Sequence, residues 1–295
     1  MSIEFKGVFA ALTTPFTDDQ IYPDKLKENI EKYNAYDLAG YVIGGSTGEN
    51  VYLTDDEILS LAQTARDTAA PGKKIIVGTA RESTRNTLDL TNKVADIGVD
   101  AALVVLPHYY KSLMHSAALK NHFLAIGDTS KVPVIIYSIP HNTGITPEPQ
   151  LIIELSRHPN ILGIKDSSGN LSLLEEAHPH MVSGSTFLLG AGSLLLTGLM
   201  KGASGGILSL AAVAPELCAK LYRLYRDNKL DKAKKLQLDL TPLNQAVTKD
   251  YGVPGAKYAL DLRGYYGGPC RLPLLPLPEK DQLVIKNLLS QLNLI

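Results

Sequence analysis

The chain has 295 residues, of which 45% are hydrophobic and 20% are charged, and its formal net charge is -1. This balance gives no electrostatic reason to expect nucleic acid or an anionic membrane as a partner, so a small molecule is the expected partner. The two cysteines, which have no CxxC spacing, indicate neither a disulfide framework nor a thiolate zinc site. No targeting signal or membrane-spanning apolar run is evident, which predicts a cytoplasmic protein.

Eight short apolar segments, spread over residues 7–209, have the composition of strands buried in a parallel sheet. The predicted strands are Gly7–Leu12, Tyr41–Ile43, Lys74–Gly78, Ala101–Leu106, Val132–Tyr137, Ile161–Lys165, Phe187–Leu189 and Gly205–Ser209. Amphipathic segments with apolar residues at i, i+4 and i+7 lie between several of them and predict helices that cover a sheet. The pattern is therefore an alternation of strands and helices.

Local sequence signals predict where some of these helices begin and end. Thr54 and Glu57 have the spacing of a capping box, and Gly98 follows an apolar position in the manner of a helix C-terminus. Thr146 followed by Pro147 predicts a helix that starts there, because proline is favoured in the first helical turn. After Pro215 no strand pattern returns, and the apolar spacing predicts only helices.

The fold class predicted from this order is α/β, a (β/α)8 TIM barrel over residues 1–213 with a C-terminal helical bundle over residues 214–295 packed on the barrel. A doubly wound sheet is the alternative, but it requires a GxGxxG turn directly after the first strand, and none is present. The glycine-rich loops instead follow strands two, seven and eight, as GGSTGE, GAGS and GASGG. In a barrel these loops open at the C-terminal face, where active sites are built.

Lys165 closes the apolar segment ILGIK, and Tyr137 closes the preceding predicted strand. Burial disfavours the charged form of a lysine and leaves neutral amine that can attack a carbonyl carbon, as a Schiff-base nucleophile does. A neighbouring phenol can relay protons between the carbinolamine, the imine and a substrate hydroxyl. The structural alternatives are a lysine that reaches water or pairs with Asp166, and a core tyrosine with a satisfied hydroxyl.

The loop GGSTGE offers Gly45, whose backbone N–H can approach a ligand, and the hydroxyls of Ser46 and Thr47. These groups suit a carboxylate or an oxyanion, although the glycines could serve only a tight turn. Tyr109 and Tyr110 follow the fourth strand, where packing in a loop or an interface is the alternative to a role in the site.

Metal and phosphate sites are weakly indicated. The seven histidines show no HExxH pattern, so no metal is expected. GAGS and GASGG leave a phosphate site open as a secondary hypothesis, although Lys201 is the only nearby cation in the sequence.

Seven motifs in order, GVFAALTTPF, GGSTGE, PHYY, YSIPHNTG, GIKDSSG, GASGGILS and YYGGPCRLPL, closely resemble the pyruvate-dependent class I aldolases that include dihydrodipicolinate synthase and N-acetylneuraminate lyase. The resemblance runs nearly from end to end. It implies that Lys165 forms the imine, that Tyr137 relays protons, and that Ser46 and Thr47 bind the pyruvyl carboxylate. It further implies that Tyr109 or Tyr110 reaches an active site, which could be that of a neighbouring subunit, in a homotetramer. No cofactor is expected, because the substrate itself is bound covalently.

Within this family, the synthases carry an arginine two residues after the proline of the tyrosine motif, and this chain has Asn142 there. An amide cannot replace a bidentate cation that binds a carboxylate. Several longer segments look most similar to 4-hydroxy-2-oxoglutarate aldolase, which is the first hypothesis, although Thr47 is more typical of the synthases. Dihydrodipicolinate synthase, a 2-keto-3-deoxy sugar acid aldolase and a non-catalytic 2-oxo acid binder are the alternatives. The expected catalytic residues are Lys165, Tyr137 and Thr47, and the expected substrate-binding residues are Gly45, Ser46, Thr47, Tyr109, Tyr110, Asn142, Ser167, Gly190 and Ile207.

Overall fold

The structure is a computed structural model that describes residues 5–295. Its strands are β1 (Gly7–Ala11), β2 (Phe16–Thr17), β3 (Gln20–Ile21), β4 (Gly40–Ile43), β5 (Lys74–Gly78), β6 (Ala101–Val105), β7 (Val134–Ser138), β8 (Ile161–Asp166), β9 (Thr186–Leu189) and β10 (Gly205–Leu208). Its helices are α1 (Pro23–Tyr33), α2 (Asp55–Thr68), α3 (Thr84–Asp96), α4 (Ser116–Thr129), α5 (Pro140–Thr143), α6 (Pro149–Leu155), α7 (Ser172–Ala177), α8 (Leu195–Met200), α9 (Leu210–Val213), α10 (Pro215–Arg226), α11 (Leu230–Gln245), α12 (Gly252–Leu262) and α13 (Glu279–Gln291).

Eight parallel strands form a closed barrel in the order β1-β10-β9-β8-β7-β6-β5-β4. This confirms the (β/α)8 prediction, and each strand begins and ends within two residues of its predicted bounds. Almost every residue of these strands is buried, because side chains on one face fill the barrel and those on the other face pack under helices. The apolar, β-branched sequences of the strands are suited to this two-sided burial.

Two of the three predicted helix ends are confirmed. The Thr54 side chain accepts a hydrogen bond from the backbone N–H of Glu57 at 3.2 Å, and the Glu57 carboxylate accepts from the Thr54 N–H at 2.9 Å. Gly98 takes the left-handed φ of 85° that a helix C-terminus favours. The start at Thr146 and Pro147 was wrong, because α6 begins only at Pro149. A proline at 149 disfavours the helical conformation at the residue before it, so Pro147 cannot open this helix.

The strands β2 and β3 and helix α12 are among the elements that were not predicted. The strands β2 and β3 form a short antiparallel hairpin in which Phe16 pairs with Ile21. Helix α12 has a glycine, a valine, a proline and another glycine at its start, a composition typical of a loop. A proline is nevertheless tolerated in a first helical turn, where its missing N–H costs no helical hydrogen bond.

The chain divides into two compact units. One unit comprises residues 5–7 together with Ile76–Gly206, and it contains β5–β9 with the helices between them, apart from the start of β5. The other comprises Val8–Ile75 and Ile207–Ile295, and it contains β4 together with α10–α13. A boundary between residues 213 and 214 stays a prediction. Within residues 5–295, the structure contains no helix long and apolar enough to cross a membrane.

Candidate active site

Tyr137 and Lys165 are brought together by the register of two neighbouring strands. They are directly paired across β7 and β8, one residue before the end of each strand. The ammonium nitrogen Nζ of Lys165 lies 4.0 Å from the centre of the Tyr137 ring. Both residues are buried, with Lys165 5% and Tyr137 4% exposed. An amine and a phenol therefore lie side by side near the C-terminal ends of two barrel strands, as predicted.

Asp166 does not neutralise Lys165, although the two are neighbours in sequence. Successive residues of a strand point to opposite faces, and the Asp166 carboxylate accepts hydrogen bonds from the Ser168 hydroxyl at 2.6 Å and from the Ser168 N–H at 3.2 Å. Burial raises the pKa of Asp166, while the hydrogen bonds from Ser168 act in the opposite direction. Among residues 5–295, no carboxylate lies within ion-pair distance of the Lys165 amine. The alternative of a structural Lys165–Asp166 pair was therefore wrong.

Ser167 and Gly190 come into contact just beyond β8 and β9. The N–H of Ser167 donates to the carbonyl of Ser138 at 2.8 Å, and the N–H of Gly190 donates to the carbonyl of Asp166 at 2.7 Å. A Cβ built on Gly190 would lie only 1.7 Å from the Ser167 hydroxyl oxygen. Position 190 is thus a glycine because the Ser167 side chain occupies the space of its missing methyl group. These two predicted binding residues are neighbours at the same strand ends.

Asn142, Tyr109 and Tyr110 are all exposed. Asn142 lies in the single turn α5, which follows β7. The two tyrosines are 76% and 66% exposed, and their rings meet edge to face with centroids 5.1 Å apart. The Glu82 carboxylate holds their loop by accepting the backbone N–H groups of His108 and Tyr109, each at 2.9 Å. The roles predicted for these three residues in substrate binding stay predictions.

In the other unit, Ser46 and Thr47 lie in a 3-10 turn, Ser46–Gly48, that follows β4. Ser46 is exposed and Thr47 is half-buried. The Thr47 hydroxyl is hydrogen-bonded to the hydroxyl of Ser209, which follows β10. The Thr14 hydroxyl donates to the carbonyl of Gly48 at 2.7 Å and so ties the end of the turn to the segment after β1. The turn therefore carries two hydroxyls, and that of Thr47 is part of a hydroxyl pair.

The remaining predicted binding residues of this unit are Gly45 and Ile207. Gly45 is buried at the start of the turn and accepts the Gly48 N–H at 2.9 Å. Ile207 lies in β10 and is 1% exposed, so its side chain belongs to the core of the unit. Within residues 5–295, no group of three or more His, Cys, Asp or Glu side chains could hold a metal ion.

Sequence reasoning missed three polar residues near this turn. Ser209 is the last residue of a predicted strand. Its position at the C-terminal end of that strand could have indicated a residue near the site. Glu49 and Lys257 are both 2% exposed and form an ion pair with 2.7 Å between Oε1 and Nζ. A lysine flanked by Ala256 and Leu260 on the apolar face of a helix would have indicated a buried partner, but nothing in the sequence identified which carboxylate it was.

The barrel and the buried lysine at a strand end are those of a class I, Schiff-base-forming aldolase or lyase, and the chain is an enzyme of this class. Residues 4–292 match the dihydrodipicolinate synthetase family, and the chain belongs to that family.

Relatives of known name match along the full chain. A 4-hydroxy-tetrahydrodipicolinate synthase of Exiguobacterium sp. is 32% identical over 290 residues, which cover 98% of each chain. Another enzyme of that name, from Ligilactobacillus salivarius, is 34% identical and covers 96% of this chain and 97% of its own. The structure of the 4-hydroxy-tetrahydrodipicolinate synthase of Methylacidiphilum fumariolicum superimposes with a TM-score of 0.93 at 28% identity, covering 98% of this chain and 96% of its own. The family resemblance predicted from the motifs is confirmed.

Proposed function

We propose that the chain binds pyruvate, or the pyruvyl part of a larger 2-oxo acid, as an imine of Lys165. The observation that carries the proposal is the buried amine of Lys165, which lies against the Tyr137 ring with no carboxylate of residues 5–295 at ion-pair distance. An amine in this position can attack the ketone carbon of a 2-oxo acid as the nucleophile of imine formation. Ser46 and Thr47 are the proposed partners of the pyruvyl carboxylate.

The reaction that the relatives' names support is the condensation of pyruvate with aspartate semialdehyde. The Lys165 nitrogen attacks C2 of pyruvate, and the carbinolamine loses water to give a protonated imine. Loss of a proton from C3 gives an enamine, whose C3 forms a bond to the aldehyde carbon while the aldehyde oxygen gains a proton. Tyr137, with Thr47, is the proposed relay for these protons, and water finally releases the product from Lys165.

A second candidate, cleavage of 4-hydroxy-2-oxoglutarate, is favoured by Asn142. This exposed amide stands where the synthases carry a cation for the second substrate's carboxylate. In this reaction, Tyr137 takes the proton of the C4 hydroxyl, the C3–C4 bond breaks with the imine as the electron sink, and glyoxylate leaves. The enamine is then protonated at C3, and water releases pyruvate. Asn142 and Ser167 are the candidates for holding the distal carboxylate.

Borohydride reduction in the presence of pyruvate tests the covalent step. We expect the intact protein to gain the mass of pyruvate less one water plus two hydrogens, and we expect Lys165→Ala to gain nothing. A protein that binds pyruvate without a mass gain would be a non-catalytic 2-oxo acid binder. Activity that is insensitive to borohydride with pyruvate but lost to a chelator would instead indicate a metal-dependent aldolase, and either result would reject the proposal.

The second substrate is tested by comparing kcat/KM for a panel of compounds. The panel contains aspartate semialdehyde with pyruvate, 4-hydroxy-2-oxoglutarate, 2-keto-3-deoxygluconate and N-acetylneuraminate. A preference for aspartate semialdehyde would establish the condensation, and Asn142→Arg should then leave it largely unchanged. A preference for 4-hydroxy-2-oxoglutarate would establish the cleavage, and Asn142→Arg should then alter KM for that substrate. The homotetramer and the cytoplasmic location also stay predictions.

A further inference from the structure

Glu49 ends the turn that carries Ser46 and Thr47, and its side chain is directed into the protein. Its backbone has a left-handed φ of 58°, and its N–H donates to the carbonyl of Ser46 at 3.2 Å. The carboxylate is completely buried. A buried charge is costly unless it is paired and hydrogen-bonded, so this carboxylate must be held by specific partners. Because the Glu49 N–H is hydrogen-bonded to the Ser46 carbonyl, we expect a shift of Glu49 to move the turn as well.

The first partner is Lys257 in α12, more than two hundred residues later in the chain. Its Nζ lies 2.7 Å from Glu49 Oε1 and donates to the carbonyl of Pro269 at 2.6 Å. The same nitrogen lies 4.6 Å from the centre of the Phe16 ring. Lys257 is thus held from three sides, and its position determines where the Glu49 carboxylate can be.

The second partner is Arg271, in the segment that follows α12. Its backbone N–H donates to Glu49 Oε2 at 2.9 Å, so both carboxylate oxygens of Glu49 are engaged. Its guanidinium donates to the carbonyl of Tyr52 at 2.8 Å and forms two hydrogen bonds with the Glu57 carboxylate, at 2.7 and 2.8 Å. The C-terminal part of the chain therefore holds the residues on both sides of Asn50–Tyr52.

Stability alone does not account for this arrangement. Replacing a buried ion pair with apolar side chains of similar volume often leaves a protein as stable as before, or more stable, because the desolvation of two charges offsets their attraction. What the Glu49 carboxylate has beyond an apolar contact is a defined position, since Oε2 accepts the Arg271 N–H and Oε1 lies 2.7 Å from the Lys257 ammonium. The group whose geometry depends on this pair is the turn with Ser46 and Thr47.

We infer that Glu49 and Lys257 are positioning residues of the active site, which hold the hydroxyl and N–H groups of the Ser46–Gly48 turn in the geometry that receives the pyruvyl carboxylate. The inference rests on the proposed function, in which this turn binds pyruvate. Neither residue touches the substrate in this scheme. The added C-terminal helices then take part in substrate binding through α12.

The test replaces both charges at once, in the variant Glu49→Leu/Lys257→Met. Misplacing binding groups by about 1 Å costs up to about 100-fold in efficiency, so we expect KM for pyruvate to rise about 10- to 100-fold. A loss of pyruvate binding raises KM, and a fall in kcat would report the displacement of Thr47, the proposed partner of Tyr137 in proton transfer. The matched control is Glu216→Leu/Arg263→Met, which removes an ion pair between α10 and the residue after α12 that does not contact the turn. We expect the control to keep the wild-type KM.

The outcomes separate the inference from the proposed function. Circular dichroism and thermal unfolding first establish that both double variants are folded at the assay temperature. If the Glu49/Lys257 variant does not fold, the isosteric Glu49→Gln serves in its place, with a smaller rise in KM expected. A rise in KM for pyruvate that the control lacks supports the inference, and an unchanged KM overturns it. If wild-type protein gives no borohydride adduct with pyruvate, the proposed function itself fails, whatever the variants do.

Discussion

Two lysines are buried among residues 5–295, Lys165 and Lys257, and their surroundings differ in kind. Lys257, 2% exposed, has the Glu49 carboxylate at 2.7 Å and a backbone carbonyl at 2.6 Å. Lys165, 5% exposed, lies against the ring of Tyr137 and has no carboxylate at ion-pair distance among the residues that the structure describes. Both amines lie near an aromatic ring, so the carboxylate is the main difference between them.

The proposed roles of the two lysines follow this difference, with Lys257 structural and Lys165 reactive. Burial lowers the pKa of Lys257, but the Glu49 carboxylate acts in the opposite direction and favours the ammonium form, whose nitrogen has no free electron pair. Lys165 lies beside a phenol with no carboxylate at ion-pair distance among the described residues, and it is the proposed nucleophile. We therefore expect substitution of Lys165 to lower the reaction rate and substitution of Lys257 to lower the free energy of unfolding. Matched substitutions at the two positions test each expectation.

The largest expected effect is on catalysis at Lys165. Lys165→Met should lower kcat by about 10⁴- to 10⁶-fold, as loss of a covalent nucleophile does, and should abolish the borohydride adduct with pyruvate. Lys257→Met should still form the adduct at saturating pyruvate, because its amine is not the nucleophile. Steady-state kinetics and intact-protein mass spectrometry measure both effects. An adduct that is lost in Lys257→Met but kept in Lys165→Met would reverse the assignment of the two lysines.

The next effect concerns the phenol of Tyr137, which lies beside the Lys165 amine. Tyr137→Phe keeps the ring at 4.0 Å from the amine but removes the hydroxyl, so we expect kcat to fall by about 10²- to 10⁴-fold, the usual contribution of a general acid or base. Tyr41→Phe is the control, because Tyr41 is a buried tyrosine of β4 whose hydroxyl donates to Asn34 at 2.9 Å. Its kcat should stay near that of the wild type. Equal kcat values for the two variants would exclude Tyr137 from proton transfer.

The pair of Tyr137 and Lys165 could be predicted from the sequence, whereas the Glu49–Lys257 pair could not. Each barrel strand is a short apolar run, and parallel strands place their final residues at the same end of the barrel, so a lysine and a tyrosine at successive strand ends must become neighbours. Strand alternation and apolar content also predicted all eight barrel strands. The periodicity of strands and helices is a local signal that sequence alone carries.

The contacts of Glu49 depend on long-range packing. Lys257 follows Glu49 by more than two hundred residues, in a helix whose glycines and proline are typical of a loop. No local pattern indicates that α12 meets this turn. Likewise, the hydroxyl pair of Thr47 and Ser209 joins two strand ends that are distant in sequence. These contacts need the folded chain, since they depend on which elements are neighbours in space.

The third prediction concerns the stability that the paired lysine provides. Lys257→Met leaves the Glu49 carboxylate buried without its counter-ion, so we expect the free energy of unfolding to fall by about 3–5 kcal/mol. Urea denaturation followed by circular dichroism measures the change. Lys234→Met is the control, because Lys234 is 59% exposed with only Asp231 at 3.9 Å, and it should change stability by less than about 0.5 kcal/mol. Similar changes in the free energy of unfolding for the two variants would show that the buried Glu49–Lys257 pair stabilises the fold no more than an exposed pair does.

The smallest expected effect is on the free energy of unfolding when Lys165, rather than Lys257, is replaced by methionine. Lys165→Met removes a buried amine that has no carboxylate at ion-pair distance among residues 5–295, so the substitution leaves no buried carboxylate without its counter-ion. We therefore expect the free energy of unfolding to change by less than about 1 kcal/mol or to increase, in the same urea experiment. A loss as large as that of Lys257→Met would mean that the Lys165 amine stabilises the fold, and the contrast between the two lysines would then be wrong. A neutral or stabilising result, together with the loss of turnover, would mean that the amine is kept at this position for its chemistry, because the fold gains nothing from it.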